Sequence, residues 1–243
     1  MFFKKYYSNK AFTLAEVLVT LAIIGVVAAL SIPALIQNIQ HQNAVVKVKK
    51  YQTLLDNVVK RYAADNGCIG NLANCNVFAS NSVAAWNELK PYFSVIQDCG
   101  AATGQGCFAL GVMYKYLNGN NWIIVDDNTS IKAVLADGAS IEIMDYNTGN
   151  CNTDYSRSDN TSLFYTCGWI IIDTNGSKGP NQVGRDAFGW WITKQGVYPA
   201  GIYDGADFTH ADGSSHCNPK DSGMIGYGWG CTAKILKENA VNY

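Results

Sequence analysis

The chain has 243 residues, 48% of them hydrophobic and 15% charged, with a formal net charge of -1 at pH 7. That is too apolar for a disordered chain, and the charge is too evenly spread for the basic stripe that gathers DNA or RNA, so no nucleic-acid partner is expected. Eight cysteines, at 68, 75, 99, 107, 151, 167, 217 and 231, all follow the long apolar run near the N-terminus. An even count beyond such a run points to disulfides in an oxidising compartment, and paired short CxxC spacings for zinc are missing. Eight cysteines allow about a hundred connectivities. The simplest expectation pairs sequence neighbours, Cys68 with Cys75, Cys99 with Cys107, Cys151 with Cys167 and Cys217 with Cys231.

The first element is MFFKKYYSNKA, which carries Lys4, Lys5 and Lys10 and no acid. Behind it, no residue between Glu16 and Lys47 is charged when His41 is neutral, which exceeds the roughly 20 apolar residues a membrane-spanning helix needs. The positive-inside rule sets the N-terminus in the cytoplasm and the remainder outside. A cleavable secretory signal ending near Val27-Ala28-Ala29 is the alternative, and the charge at Glu16 opposes it. A carboxylate deep in lipid costs about 2.5–3.5 kcal/mol, less near a helix end, so Glu16 demands a partner.

Lys10-Ala11-Phe12-Thr13-Leu14-Ala15-Glu16 resembles the start of the type IV pilins and type II secretion pseudopilins, whose precursors join a short basic leader to Phe-Thr-Leu-x-Glu. The resemblance implies a leader over 1–11, a transmembrane and filament-core helix over 12–40, and a globular head over 41–243. It further implies cleavage between Ala11 and Phe12 by a prepilin peptidase and N-methylation of Phe12. The family usually has glycine where this chain has Ala11. Glu16 matches the family glutamate, with the implied role of neutralising the Phe12 amine of a neighbouring subunit during assembly; a contact within one chain, four residues apart on one helix face, is the alternative. Gly25 and Pro33 lie inside this helix as points of flexibility, since proline removes a backbone donor and crowds the preceding turn.

From Val45 the pattern becomes amphipathic. Val45, Val48, Tyr51, Leu55, Val58, Val59 and Tyr62 recur mostly at steps of three and four, with Lys47, Lys49, Lys50, Asp56 and Lys60 between them, which predicts one helix of roughly 50 residues up to Asn66-Gly67. A short helix interrupted near Pro91 is expected over 83–93. Strands are expected at 122–125, 131–135, 140–144, 168–173 and 188–192, with Asp137-Gly138 turning the second into the third. The fold class is therefore α+β: a long N-terminal helix, transmembrane in its first half and amphipathic in its second, packed on an antiparallel sheet and stabilised by disulfides.

Between the last two expected strands runs DTNGSKGPNQVGRDAF, Asp173 to Phe188. Loops of this kind resemble those of pilin-like proteins, and major pseudopilins hold calcium in a loop near their C-terminal strands. Asp173, Asn175, Asn181 and Asp186 would supply the oxygens calcium prefers. A plain turn, with glycines at positive φ and Asn and Asp bonding their own backbone, is the competing reading. No other cofactor is expected. His210, His216 and Cys217 are the one grouping that suggests a thiol nucleophile, and Cys217 fits a disulfide better, so no enzyme activity is expected. Sequon matches at Asn128, Asn160 and Asn175 arise often by chance. Tyr227 and Trp229 are candidates for a binding surface or for buried packing.

The combined expectation is a structural subunit, pseudopilin or minor pilin, of a type II secretion or type IV pilus filament. The alternative is an adhesin or DNA-uptake subunit displayed on such a filament. The expected partners are other pilin or pseudopilin subunits, the prepilin peptidase, an inner-membrane assembly platform and membrane lipid. The expected location is the bacterial inner membrane, crossed once with the head exported, and then an extracytoplasmic filament.

Overall fold

Helix α1 runs from Leu14 to Asn66, 53 residues, in a computed structural model that describes residues 12–126, 128, 130–146, 150–154, 163–201 and 216–243. The chain divides into two compact units, one up to Gln42 and one from Asn43 onward. In the first unit the helix is apolar and exposed along nearly its whole length. In the second it buries Val48, Tyr51, Leu55, Val58, Val59, Tyr62 and Ala63, the stripe that its three-and-four spacing dictates. The helix stops where Gly67 takes φ +74° and the Cys68 amide donates back to the Ala63 carbonyl at 2.9 Å, a Schellman-type cap.

The stripe lies on a six-stranded antiparallel sheet whose spatial order is its chain order: β1 Val95–Gly100, β2 Ile131–Leu135, β3 Ser140–Asp145, β4 Thr166–Asp173, β5 Ala187–Thr193 and β6 Gly196–Pro199. Alternation along the strands sends Ile131, Ala133, Leu135, Ile141, Ile143, Ile170, Ile172, Phe188, Trp190 and Ile192 to the α1 side. Trp169, Ile171 and Trp191 go to the other face, where Phe108, Tyr114, Val125 and Trp229 cover them. With layers on both faces, β4 and β5 are buried at every position, so their sequences read as continuous apolar runs. Gly189 sits where a Cβ would fall 2.3 Å from the Trp169 ring, and its lack of a side chain lets the two indoles Trp169 and Trp191 meet at 4.3 Å.

Side chains on α1 fix the helix in register on the sheet. Gln52 accepts from the Trp190 indole at 2.9 Å, Tyr51 donates to Asp137 at 2.8 Å, and the Lys50 ammonium pairs with the same carboxylate. Helix α2, Ser82–Leu89, opens on an Asn81 cap whose side chain accepts from the Ala84 amide at 2.9 Å, and it adds Ala85, Trp86 and Leu89 to the α1-side core. Helix α3, Cys231–Glu238, closes the second unit. Disulfides join Cys68 to Cys75, Cys99 to Cys107, Cys151 to Cys167 and Cys217 to Cys231.

Residues 122–125 are not a sheet strand. They return across a turn to Tyr114, with the Trp122 amide on the Tyr114 carbonyl at 2.8 Å and the Tyr114 amide on the Ile123 carbonyl at 2.9 Å, and so belong to the layer above the sheet. The expected helix over 83–93 ends at Leu89, because Pro91 converts the next turn into a 3-10 turn, Lys90–Tyr92. Strand β1 escapes pattern reading because Ile96, Gln97 and Asp98 are exposed in succession and its register on β2 slips twice.

Beneath the upper layer lies a buried polar group. Lys132 and Glu142 face each other across β2 and β3, the Lys132 ammonium is 3.9 Å from Asp126, and the Ser130 hydroxyl bonds Glu142. Charges this deep persist only when paired.

The stripe on α1 sets the first test. Leu55→Ala should cost about 2–5 kcal/mol, because a side chain 1% exposed leaves a cavity in a close-packed core. Lys60→Ala on the exposed face should stay within about 0.5 kcal/mol. Denaturant unfolding of a head fragment beginning at Ala44 measures both, and equal effects would refute the sheet-facing assignment.

Candidate functional site

Helix α1 begins with Thr13 as its cap. The Thr13 hydroxyl accepts from the Glu16 amide at 3.3 Å, and Glu16 reaches back so that its Oε2 accepts from the Thr13 amide at 2.8 Å and from the Thr13 hydroxyl at 2.9 Å. This reciprocal arrangement is a capping box, and it satisfies helix N–H groups that otherwise have no acceptor in an apolar setting. Within one chain the carboxylate is therefore bonded to Thr13 rather than to Phe12, which is 86% exposed. Both bonds from Thr13 fall on Oε2, so that among the described residues the second oxygen, Oε1, is left for another donor. The Thr-x-x-Glu spacing announces this box, although the sequence reading took Glu16 alone. Ala11 lies outside the described residues.

Further along, α1 passes without a break through Gly25 and Pro33. A Cβ at Gly25 would meet nothing within 4 Å, so no contact among the described residues requires glycine there. The Ser31 hydroxyl donates to the Val27 carbonyl at 2.8 Å one turn back. The helix has the length and apolar composition to cross a membrane.

The second candidate is the loop from β4 to β5. Asp186 organises it: Oδ1 accepts from the Gln182 amide at 2.7 Å, and Oδ2 accepts from the Asn181 amide at 2.8 Å and the Asn175 side chain at 3.3 Å. Asp173 accepts from the Asn175 amide at 3.1 Å and from the Tyr114 hydroxyl at 2.6 Å. Lys47 of α1 donates to the Thr174 carbonyl at 2.8 Å, and the Gln182 side chain donates to the carbonyls of Tyr116 and Leu117 at 2.9 and 3.0 Å. The contacts that Tyr114, Lys47 and Gln182 make with or from this loop have no local sequence signal, since their partners lie far along the chain, Tyr114 and Asp173 being 59 residues apart. Much of the motif is thus explained as a self-bonded turn.

What the turn leaves over is electrostatic. Burial, and then the neighbouring charge of Asp186, pushes the Asp173 carboxyl up to about 7, while the Tyr114 hydrogen bond and Lys47 oppose the rise. Burial likewise raises Asp186. Among the described residues nothing donates a hydrogen bond to the buried side-chain oxygens of Asn175 and Asn181. Two carboxylates and two unused amide oxygens form an all-oxygen donor set, so these four residues could hold calcium, which would supply positive charge to a buried pair that repels itself. Among the described residues no group of three or more His, Cys, Asp and Glu side chains suits a metal, so the amides would have to complete such a site.

The remaining candidates are placed elsewhere. Cys217 is bonded to Cys231 and offers no thiol; His216 beside it is buried, and His210 lies outside the described residues. Trp229 is 5% exposed and meets Trp122 and Trp169 edge to face, while Tyr227 stacks on Tyr116 at 3.9 Å. Trp229 is thus a packing residue, whereas Tyr227 is half-buried and keeps part of its surface accessible.

Compared with known families, residues 7–32 match the prokaryotic N-terminal methylation motif. No curated protein and no solved structure matches the chain.

The loop sets the second test. A carboxyl whose folded value exceeds its ordinary 3.8 binds more protons folded than unfolded, so its contribution to stability is complete below about pH 4 and is lost as pH rises toward about 7. Without calcium, the head fragment should melt at a lower temperature near neutral pH than in mild acid, and Asp173→Asn should flatten that slope. Millimolar calcium should raise the neutral-pH melting temperature of the wild type, since a ligand at 100-fold its Kd adds about 2.7 kcal/mol. Asp173→Ala should abolish the gain. A melting curve indifferent to calcium assigns the loop to turn formation alone.

Proposed function

We propose that this chain is a structural subunit, pseudopilin or minor pilin, of a type II secretion or type IV pilus filament. The observation that carries the reading is the methylation motif, the type IV pilin and pseudopilin cleavage motif, at the head of a helix with the length and composition of a membrane span. In this reading a prepilin peptidase removes residues 1–11, Phe12 is methylated, and the apolar half of α1 holds the subunit in the inner membrane until an assembly platform moves it into a filament. Other pilin or pseudopilin subunits are its partners there, and catalysis belongs to the machinery rather than to this chain.

The capping box supports a specific division of labour. In the membrane, Glu16 closes the first turn of its own helix through Oε2. In the filament, Oε1 accepts the methylated amine of the neighbouring subunit's Phe12, so that two buried charges cancel without the cap being broken. Gly25, with open space around it, leaves room for a neighbouring helix to approach closely.

Two outcomes test this. The mature protein should begin at methylated Phe12 when its N-terminus is sequenced by mass spectrometry, and a start near Ser31 would replace the reading with a cleaved secretory signal. Glu16→Ala should still insert and be cleaved, yet fail to enter filaments, because an unmatched buried charge costs about 3–5 kcal/mol per subunit. Glu16→Asp should retain part of the function. Immunoblots of membrane and sheared fractions read the result, and normal incorporation of Glu16→Ala would refute the pairing.

A further inference from the structure

A cleft of about 600 Å³ opens at the end of α1 that is remote from the apolar segment, between the 71–77 loop and α2. Its size lies within the range of small-ligand sites. Asparagines dominate the lining: Asn74 and Asn76 stand on the loop wall and Asn87, beside Glu88, on the α2 wall. Tyr62 and Val77 also line it but are only 2% and 3% exposed, so the surface offered to a ligand is mainly that of the polar side chains. Glu88 is the one lining residue with a formal charge.

The hydrogen-bonding capacity of the two walls is complementary. Asn74 uses its Oδ1 to accept from Asn71, and Asn76 uses its Oδ1 to accept from Asn150. Among the described residues this leaves the Nδ2 donors of Asn74 and Asn76 unspent. Across the cleft, Glu88 brings a carboxylate acceptor and Asn87 a full amide, both exposed. A ligand that fits must accept from one wall and donate to the other. Vicinal hydroxyls on a sugar ring do both, since each hydroxyl both donates and accepts. A phosphate or a carboxylate would meet Glu88 with no cation in the lining to offset it.

The loop wall is also rigid before any ligand arrives. The Cys68–Cys75 disulfide ties it down, Asn71 caps its 3-10 turn by accepting from the Ala73 amide at 3.1 Å, and the Asn150 side chain donates to the Ala73 carbonyl. Preorganised polar groups avoid the ordering cost that weakens flexible sites.

We infer that this cleft binds a neutral oligosaccharide through the Asn74, Asn76, Asn87 and Glu88 side chains. It goes beyond the filament-subunit reading, because binding needs neither cleavage nor assembly; on a filament it would make the head glycan-adhesive. The test is saturation-transfer NMR on the full-length protein in a detergent without a sugar headgroup, with cellobiose, lactose and chitobiose at millimolar concentration as probes. At least one should receive magnetisation from the protein. Asn87→Ala and Glu88→Gln, both on the exposed face of α2, should weaken that binding about tenfold each while leaving the melting temperature unchanged. Transfer to none of the three sugars, or equal transfer in wild type and both variants, overturns the assignment. Either result leaves the N-terminal processing and Glu16 experiments untouched, so the two readings fail separately.

Discussion

The core on one face of the sheet is built around one stripe of side chains on α1, from Val48 to Ala63. In a folded protein most of the stability of an amphipathic helix comes from burying such a stripe. The sheet supplies the matching surface by alternation, and the helix is registered on it by Gln52, Tyr51 and Lys50, which engage Trp190 and Asp137. Once one face of the sheet is occupied by the helix, the other face must be covered as well, because Trp169, Ile171 and Trp191 project from it. The long irregular stretch between β1 and β2 meets that need, and its Tyr114 then becomes the anchor for the loop that joins β4 to β5.

Several features were legible in the sequence for reasons that can be named. Period 3.6 gave the amphipathic half of α1, the Asp-Gly dipeptide gave the turn from β2 to β3, and continuous apolar runs gave β4 and β5, which are buried on both faces. The run at 122–125 misled because bulky apolar residues signal burial, and burial against a sheet looks the same in sequence as membership of it. Strand β1 lacked alternation because it is an edge whose register slips twice, and β6 is too short, at four residues, to show a period. At the N-terminus, Glu16 was visible as an isolated charge, whereas its bond to Thr13 required the capping-box spacing. The oxygen-rich loop was visible as a cluster of Asp, Asn and Gly, yet its anchors lie far away in sequence and no local pattern could announce them.

Two distant places in this chain solve the same problem in different ways. A carboxylate in an apolar setting must find donors. Glu16 finds them in its own first turn, and Asp186 finds them in the amides of Asn181 and Gln182. Asp173 is less well supplied, with one amide, one hydroxyl and the repulsion of Asp186. Asp173 and Asp186 thus place two mutually repelling carboxyl groups in one loop, and α1 reaches that loop through Lys47.

The cysteine pattern bears on how such a head reaches its folded state. Each of the four bridges joins a cysteine to the very next one along the chain, so none interlocks with another. If the residues after the apolar run emerge on the far side of a membrane in chain order, each thiol is followed by its correct partner before any competing pair is complete. Oxidation in order of emergence then yields the native set, and a thiol oxidant suffices where interleaved bridges would call for repeated reshuffling.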